Sequence, residues 1–235
     1  QVIKPAMELG GNAPLIVFDD ADIDLAVEGA MVAKMRNLGE ACTAANRLYV
    51  HERVAEEFTQ RFTARMAALK MGNGLAPDVD VGALVNADTR DKVAAFVEDA
   101  LARGAELRLG GVVPKGPGFF YPPTVLFNVP GDAACMRDEI FGPVAAIQTF
   151  GDADDVVARA NDTEYGLVAY VFTQDMRRGL NVCERLEFGM VGLNRGLVSD
   201  PAAPFGGVKQ SGLGREGGKE GMLEFMETQY IATNW

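Results

Sequence analysis

Pro14-Leu15-Ile16-Val17-Phe18-Asp19-Asp20-Ala21-Asp22-Ile23-Asp24-Leu25-Ala26-Val27 changes its hydrophobic period partway along. Residues 15–18 form a short apolar run bounded by Pro14 and the Asp19-Asp20 pair, which predicts a buried strand. From Ile23 the period becomes helical. Ile23, Ala26, Val27, Ala30 and Met31 fall on one face, and aspartates crowd the first turn, where the helix dipole favours negative charge. Gly39 is expected to end this helix. The same alternation continues outward. Residues 47–50 read as a strand, and Val54, Phe58, Phe62, Met66 and Leu69 mark a second amphipathic helix. A third is expected over 88–103, with Val93, Phe96, Val97, Ala100 and Leu101 inward. Strands over 144–150, 167–172 and 190–193 then alternate with helices over 153–160 and 176–186. Such alternation predicts the α/β class, with a largely parallel sheet flanked by helices. The stretches 110–123 and 203–218, rich in Gly, read as loops.

The totals bound the function. With 235 residues, the chain can bury one large core. A net charge of -11 argues against non-specific nucleic-acid binding. No apolar run approaches the roughly 20 residues needed to cross a bilayer, so no membrane partner is expected. Three cysteines, Cys42, Cys135 and Cys183, do not form a disulfide framework in a chain this long, which points to a reducing, cytoplasmic setting. His51 is the one histidine and no CxxC spacing occurs, so no metal site is expected. Residue 1 is Gln and no secretory leader is visible; the chain is expected to start inside a longer protein.

Two residues invite chemistry. Cys42 sits in Gly39-Glu40-Ala41-Cys42-Thr43, between a helix end and a strand, where a thiol can be exposed at the mouth of a sheet. Read alone, it fits a small buried apolar residue as well as a nucleophile. Glu8, in Met7-Glu8-Leu9-Gly10-Gly11, precedes a buried strand; burial would make it a usable base near neutrality, whereas at the surface it would simply cap a turn.

Four stretches in order, Glu8-Leu9-Gly10-Gly11, Gly39-Glu40-Ala41-Cys42, Glu139-Ile140-Phe141-Gly142-Pro143 and Pro204-Phe205-Gly206-Gly207, resemble the motifs of the aldehyde dehydrogenase superfamily. The resemblance covers nearly the whole chain but only the C-terminal half or so of a full family member. It implies Cys42 as nucleophile and Glu8 as the base that hydrolyses the thioester. It also implies Leu9, Gly10, Glu139 and Phe141 as contacts of an NAD or NADP cofactor, and Glu216 as a proton relay behind Glu8. Phe205 would line the aldehyde tunnel. Residues 1–228 are expected to be the catalytic domain. Residues 229–235 are expected to be a C-terminal oligomerisation strand serving a homo-dimer or tetramer. The cofactor-binding domain and an oxyanion-stabilising Asn are expected upstream of the first residue, so the chain alone is expected to lack dehydrogenase turnover.

The substrate implied is a small, anionic aldehyde. Arg36 and Ser199 resemble the residues that hold the distal carboxylate in succinate-semialdehyde dehydrogenases; the alternatives are another small or ω-carboxylated aldehyde, such as glutarate semialdehyde, or a non-catalytic fragment. Arg36 could equally serve the helix dipole. Ala44 stands where many of these enzymes carry a second Cys, so a redox switch there is not expected. Glu40 replaces a more usual Gln and is expected to face solvent. Gly212-Leu213-Gly214-Arg215-Glu216-Gly217 fits G-x-G-x-x-G, but too little chain follows for a βαβ unit, so it reads as a structural loop. A cysteine hydrolase using His51 is a rival; the strand between Cys42 and His51 argues against it.

Overall fold

The structure is a computed structural model that describes residues 2–234. A two-residue strand β1 (Met7–Glu8) leads into β2 (Ala13–Val17), helix α1 (Ile23–Met35), β3 (Ala45–His51) and α2 (Ala55–Ala67). Helix α3 (Ala87–Ala102) precedes β4 (Glu106–Leu109), β5 (Thr124–Phe127) and the single turn α4 (Ala134–Arg137). The chain then alternates through β6 (Val144–Phe150), α5 (Ala153–Asn161), β7 (Val168–Phe172), α6 (Met176–Arg185) and β8 (Met190–Leu193). It ends with β9 (Gly212–Leu213) and α7 (Gly218–Leu223).

Seven strands form one sheet in the order β4-β5-β6-β3-β2-β7-β8, parallel except for the edge strand β4. The expected α/β architecture with a largely parallel sheet is what the chain adopts. The period-2 alternation of β2 divides the core. Leu15 and Val17 face α1 and α2 in a cluster with Val27, Met31, Phe58, Phe62 and Met66. Ile16 and Phe18 face the opposite cluster with Phe96, Met136 and Val157 from α3, α4 and α5. Fully burying an aromatic or aliphatic side chain contributes about 1.5–3 kcal/mol. Four helices start where an acid or amide side chain caps them: Asp22, Asn86, Asp152 and Asp175 accept N–H bonds from the first turns of α1, α3, α5 and α6.

Several elements differ from the sequence reading. α1 stops at Met35 rather than at Gly39, because Asn37 (φ 50°) and Leu38 (φ 60°) turn into the left-handed region first. β4, β5 and α4 were not legible: β4 is an exposed four-residue edge, and β5 and α4 are too short to show a period. β1 and β9 pair antiparallel, with Glu8 opposite Gly212, so part of the expected 203–218 loop is a bridge. The expected strand over 229–235 is not formed within the chain: residues 229–234 join no strand ladder, and Trp235 lies outside the described residues.

Parallel order places the amino ends of β2, β3, β6 and β7 along one edge. All four motif stretches enter or border strands there. Open α/β sheets commonly bind ligands at the carboxyl ends; here the candidate residues gather at the opposite edge.

Candidate active site

The motif stretches pack against one another. Glu139 Oε1 accepts the Gly11 N–H at 2.9 Å, joining the loop before β6 to the loop before β2. Gly11 faces the Cys42 carbonyl so closely that any Cβ would collide with it, which fixes the residue as glycine and seats the first motif on the second. Phe205 and Glu216 exchange two backbone hydrogen bonds of 2.7 Å each. Glu8 Oε1 lies against that bridge: a Cβ on Gly206 would stand 2.9 Å from it. Leu9 and Gly10 are tethered through their backbone. The Leu9 N–H donates to the Ser211 carbonyl at 3.0 Å, and Ser211 Oγ donates to the Gly10 carbonyl at 2.7 Å. Ser211 Oγ also accepts the Gly166 N–H at 2.9 Å, so one buried hydroxyl binds three loops.

Cys42 is half-buried and packs, with Met35, Val198 and Phe205, on the core cluster under α1. Its thiol is pushed above the usual value, first by burial and then by the negative charges of Glu8 and Glu139. Both carboxylates therefore lie within electrostatic reach of the sulfur. Glu8 is itself raised by burial and by Glu216, and lowered by Arg215. Its Oε2 is buried and takes no hydrogen bond from the described residues. Glu139 is raised by burial against the opposing Gly11 hydrogen bond and the charges of Lys92 and Lys34. Among the described residues only its Oε1 takes a donor. Phe141 is half-buried, with a left-handed backbone (φ 54°).

Arg36 stands at the end of α1, exposed, and its Nη2 donates to Thr43 Oγ1 at 3.4 Å. Ser199 is exposed one residue beyond Val198 and makes no hydrogen bond with Arg36 among the described residues. Glu40 is engaged at the surface, where its Oε1 accepts the Val85 N–H at 3.1 Å. His51 lies at the far end of β3, seven residues from Ala45 to His51, or about 20 Å of strand. Its Nδ1 accepts the Arg53 N–H at 3.2 Å, so no Cys42–His51 pair exists. No group of His, Cys, Asp and Glu that could hold a metal occurs among the described residues.

Three residues of this region were not singled out by sequence reading. Lys34 is fully buried, with Nζ donating to Asn46 Oδ1 at 2.9 Å; its signal was available, since it continues the buried Val27, Ala30, Met31 stripe of α1. Tyr170 hides in an apolar strand, and Ser211 in a glycine loop with no period, so neither had a signal.

The sequence profile of the aldehyde dehydrogenase family matches residues 1–231. The succinate-semialdehyde dehydrogenase of Paenarthrobacter nicotinovorans is 57% identical over 230 residues, covering 98% of this chain and 51% of that protein. The glutarate-semialdehyde dehydrogenase of Pseudomonas aeruginosa is 48% identical over 228 residues, covering 97% of this chain and 47% of that protein. Among solved structures, the succinate-semialdehyde dehydrogenase of Burkholderia pseudomallei superposes with a TM-score of 0.94 at 48% identity, covering 95% of this chain and 46% of that one. This chain spans about half the length of the curated relatives it matches. With the profile running through all four joined motifs, the chain belongs to the aldehyde dehydrogenase family.

Proposed function

We propose that the protein carrying this chain is an NAD(P)-dependent aldehyde dehydrogenase that oxidises succinate semialdehyde to succinate. The observation that carries the reading is the convergence of Cys42, Glu8 and Glu139 at one sheet edge, with both carboxylates acting on the thiol. The Cys42 thiolate attacks the aldehyde carbon to form a thiohemiacetal, and the backbone N–H of Cys42 helps hold the oxyanion. Loss of hydride from that carbon leaves a thioester on Cys42. Glu8 takes a proton from water, which attacks the thioester and releases the carboxylate. Glu216, which acts electrostatically on Glu8, is assigned the passing of that proton to solvent.

The residues present fit a nicotinamide nucleotide. Glu139 keeps Oε2 free of donors from the described residues while Oε1 is anchored, which suits a ribose hydroxyl. Phe141 offers an aromatic face, and the Leu9-Gly10 backbone borders the site. When bound, the nicotinamide supplies the hydride acceptor. The adenosine half is assigned to a domain outside these 235 residues, so this chain by itself should form no NAD(P)H.

Arg36 is assigned to the distal carboxylate, with Ser199 as a second donor and Phe205 lining the approach. Two of the relatives act by name on ω-carboxylated aldehydes of different length, so glutarate semialdehyde is the second reading. Residues 1–228 would form the catalytic domain and residues 229–235 the contact of a homo-dimer or tetramer. The free cysteines suit a cytoplasmic protein. The test is steady-state kinetics of the full-length Arg36→Ala enzyme. Loss of a charge-assisted bond should cut kcat/KM for succinate semialdehyde by roughly 10- to 100-fold relative to butanal. An unchanged ratio overturns the assignment of Arg36.

A further inference from the structure

Tyr170 lies in β7 with its ring in the cluster that also takes Cys42, Met35, Val198 and Phe205. It is 2% exposed. A phenylalanine would fill the same apolar space, so the hydroxyl has to be explained separately. It donates to the Thr43 carbonyl at 2.8 Å, in the buried interior, across 127 residues of sequence. Thr43 is the residue directly after Cys42, and its own hydroxyl accepts from Arg36 Nη2 at 3.4 Å. One residue thus has its backbone held by Tyr170 and its side chain on Arg36, while it is covalently joined to the thiol residue.

Other observations place these groups together. Burial holds the Tyr170 phenol protonated, and the Arg36 and Cys42 charges both act on it. The Tyr170 hydroxyl therefore remains a donor throughout the working pH range. The ring and the loop that bears Ser199 flank the same glycine: a Cβ on Gly192 would stand 3.1 Å from Tyr170 Cδ1 and 3.2 Å from Val198 Cγ1.

We propose that Tyr170 and Thr43 are positioning residues that fix the separation between the Cys42 sulfur and the Arg36 guanidinium, and so set the chain length of the ω-carboxylated aldehyde the site accepts. The inference rests on the reading of Arg36 as the carboxylate partner. A substrate anchored at its far end must present its carbonyl carbon to a sulfur that neither slides nor tilts. A misplacement of about 1 Å can cost 100-fold in rate. One methylene is worth about 10- to 200-fold in a well-fitted pocket. Arg36 on an exposed helix end could not supply that discrimination alone; its seat on Thr43, itself tied to β7, could.

The experiment uses the full-length enzyme and compares kcat/KM for succinate semialdehyde, glutarate semialdehyde and butanal in the Tyr170→Phe, Thr43→Val, Thr43→Ser and Arg36→Ala variants. Tyr170→Phe and Thr43→Val should each narrow the ratio between the two semialdehydes by roughly fivefold or more, while their preference for the charged over the uncharged aldehyde persists. Thr43→Ser, which keeps the acceptor, should retain the wild-type length ratio. A merely structural role would lower all three substrates together and leave the ratios alone. A length ratio unchanged in both Tyr170→Phe and Thr43→Val, or a wild-type enzyme that does not discriminate between the two lengths, overturns the proposal. If Arg36→Ala keeps the preference for the charged aldehyde, the Arg36 reading fails instead. If Tyr170→Phe does not fold, Thr43→Val decides.

Discussion

Cys42 and Glu8 are held in opposition at the level of single residues. Burial raises the thiol, and Glu8 and Glu139 raise it further, so the resting state favours the protonated sulfur. Glu8→Gln removes one of those negative neighbours. The thiol pKa should then fall, and alkylation by iodoacetamide at pH 8 should quicken by roughly two- to fivefold. If alkylation slows, Glu8 is accepting the thiol proton rather than merely repelling the thiolate. Hydrolysis of a thioester on Cys42 should fall in the same variant by about 100- to 10,000-fold. The pH profile carries a sign as well. A base works ionised, and the Glu8 carboxyl is raised by burial and by Glu216. Deacylation should therefore fall off with acid at a pH above the ordinary carboxylate range, and that limb should vanish in Glu8→Gln. Both residues were visible in the sequence as types in a suggestive setting. Their mutual placement was not, because the loop before β2 meets the loop before β3 only after two strands have paired.

At the scale of elements, the loop that carries Cys42 is fastened at each end. It leaves α1 through a left-handed turn at Asn37 and Leu38 and enters β3 at Ala45. Lys34 in the last turn of α1 donates to Asn46 in β3, spanning the loop with one buried bond of 2.9 Å. Burial lowers the Lys34 ammonium to about pH 7, while Cys135 and Glu139 act to raise it. The folded-state pKa lies below the unfolded value, so the unfolded chain binds more protons between pH 7 and about 10.5. The burial penalty is complete below pH 7 and fades as pH rises through that window. Lys34→Met should therefore stabilise relative to wild type by about 2–3 kcal/mol more at pH 6 than at pH 9, read by urea denaturation at both values. The cost of leaving Asn46 without its partner cancels in that difference. An equal shift at both values would show that Lys34 stays charged in its buried seat. Periodicity made α1, α2, α3, β6, α5, α6 and β8 legible to within a few residues. It could not reveal β4, β5 or α4, whose four residues each span little more than one helical turn or two strand repeats.

The whole molecule brings its motifs to the amino edge of a parallel sheet because three of them directly precede the parallel strands β2, β3 and β6, and the fourth, 204–207, packs against Gly166 and Leu167 just before β7. Arg47 shows how that edge is held. Fully buried in β3, it donates to the carbonyls of Asn12, Arg159 and Ala160, tying the approach to β2 and the end of α5 to the central strand. The opposite character appears at the C-terminus, where Phe225 is 94% exposed and Tyr230 and Ile231 stand out with it. Apolar surface of this kind marks contact sites. On the proposal that residues 229–235 join the subunits, removing them from the full-length protein should lower its mass in light scattering toward smaller species. An unchanged mass would remove this segment from the interface.

The sequence by itself determined the α/β class, the core faces of the long helices, and the family, since hydrophobic period and ordered motifs are local properties carried by contiguous residues. Only the tertiary structure decided what those residues do to one another. Glu139 on Gly11, Tyr170 on Thr43, and Lys34 across to Asn46 join positions 12 to 128 residues apart. No local pattern encodes such pairs, because each depends on strand order and on desolvation that exist only once the sheet has closed over its core.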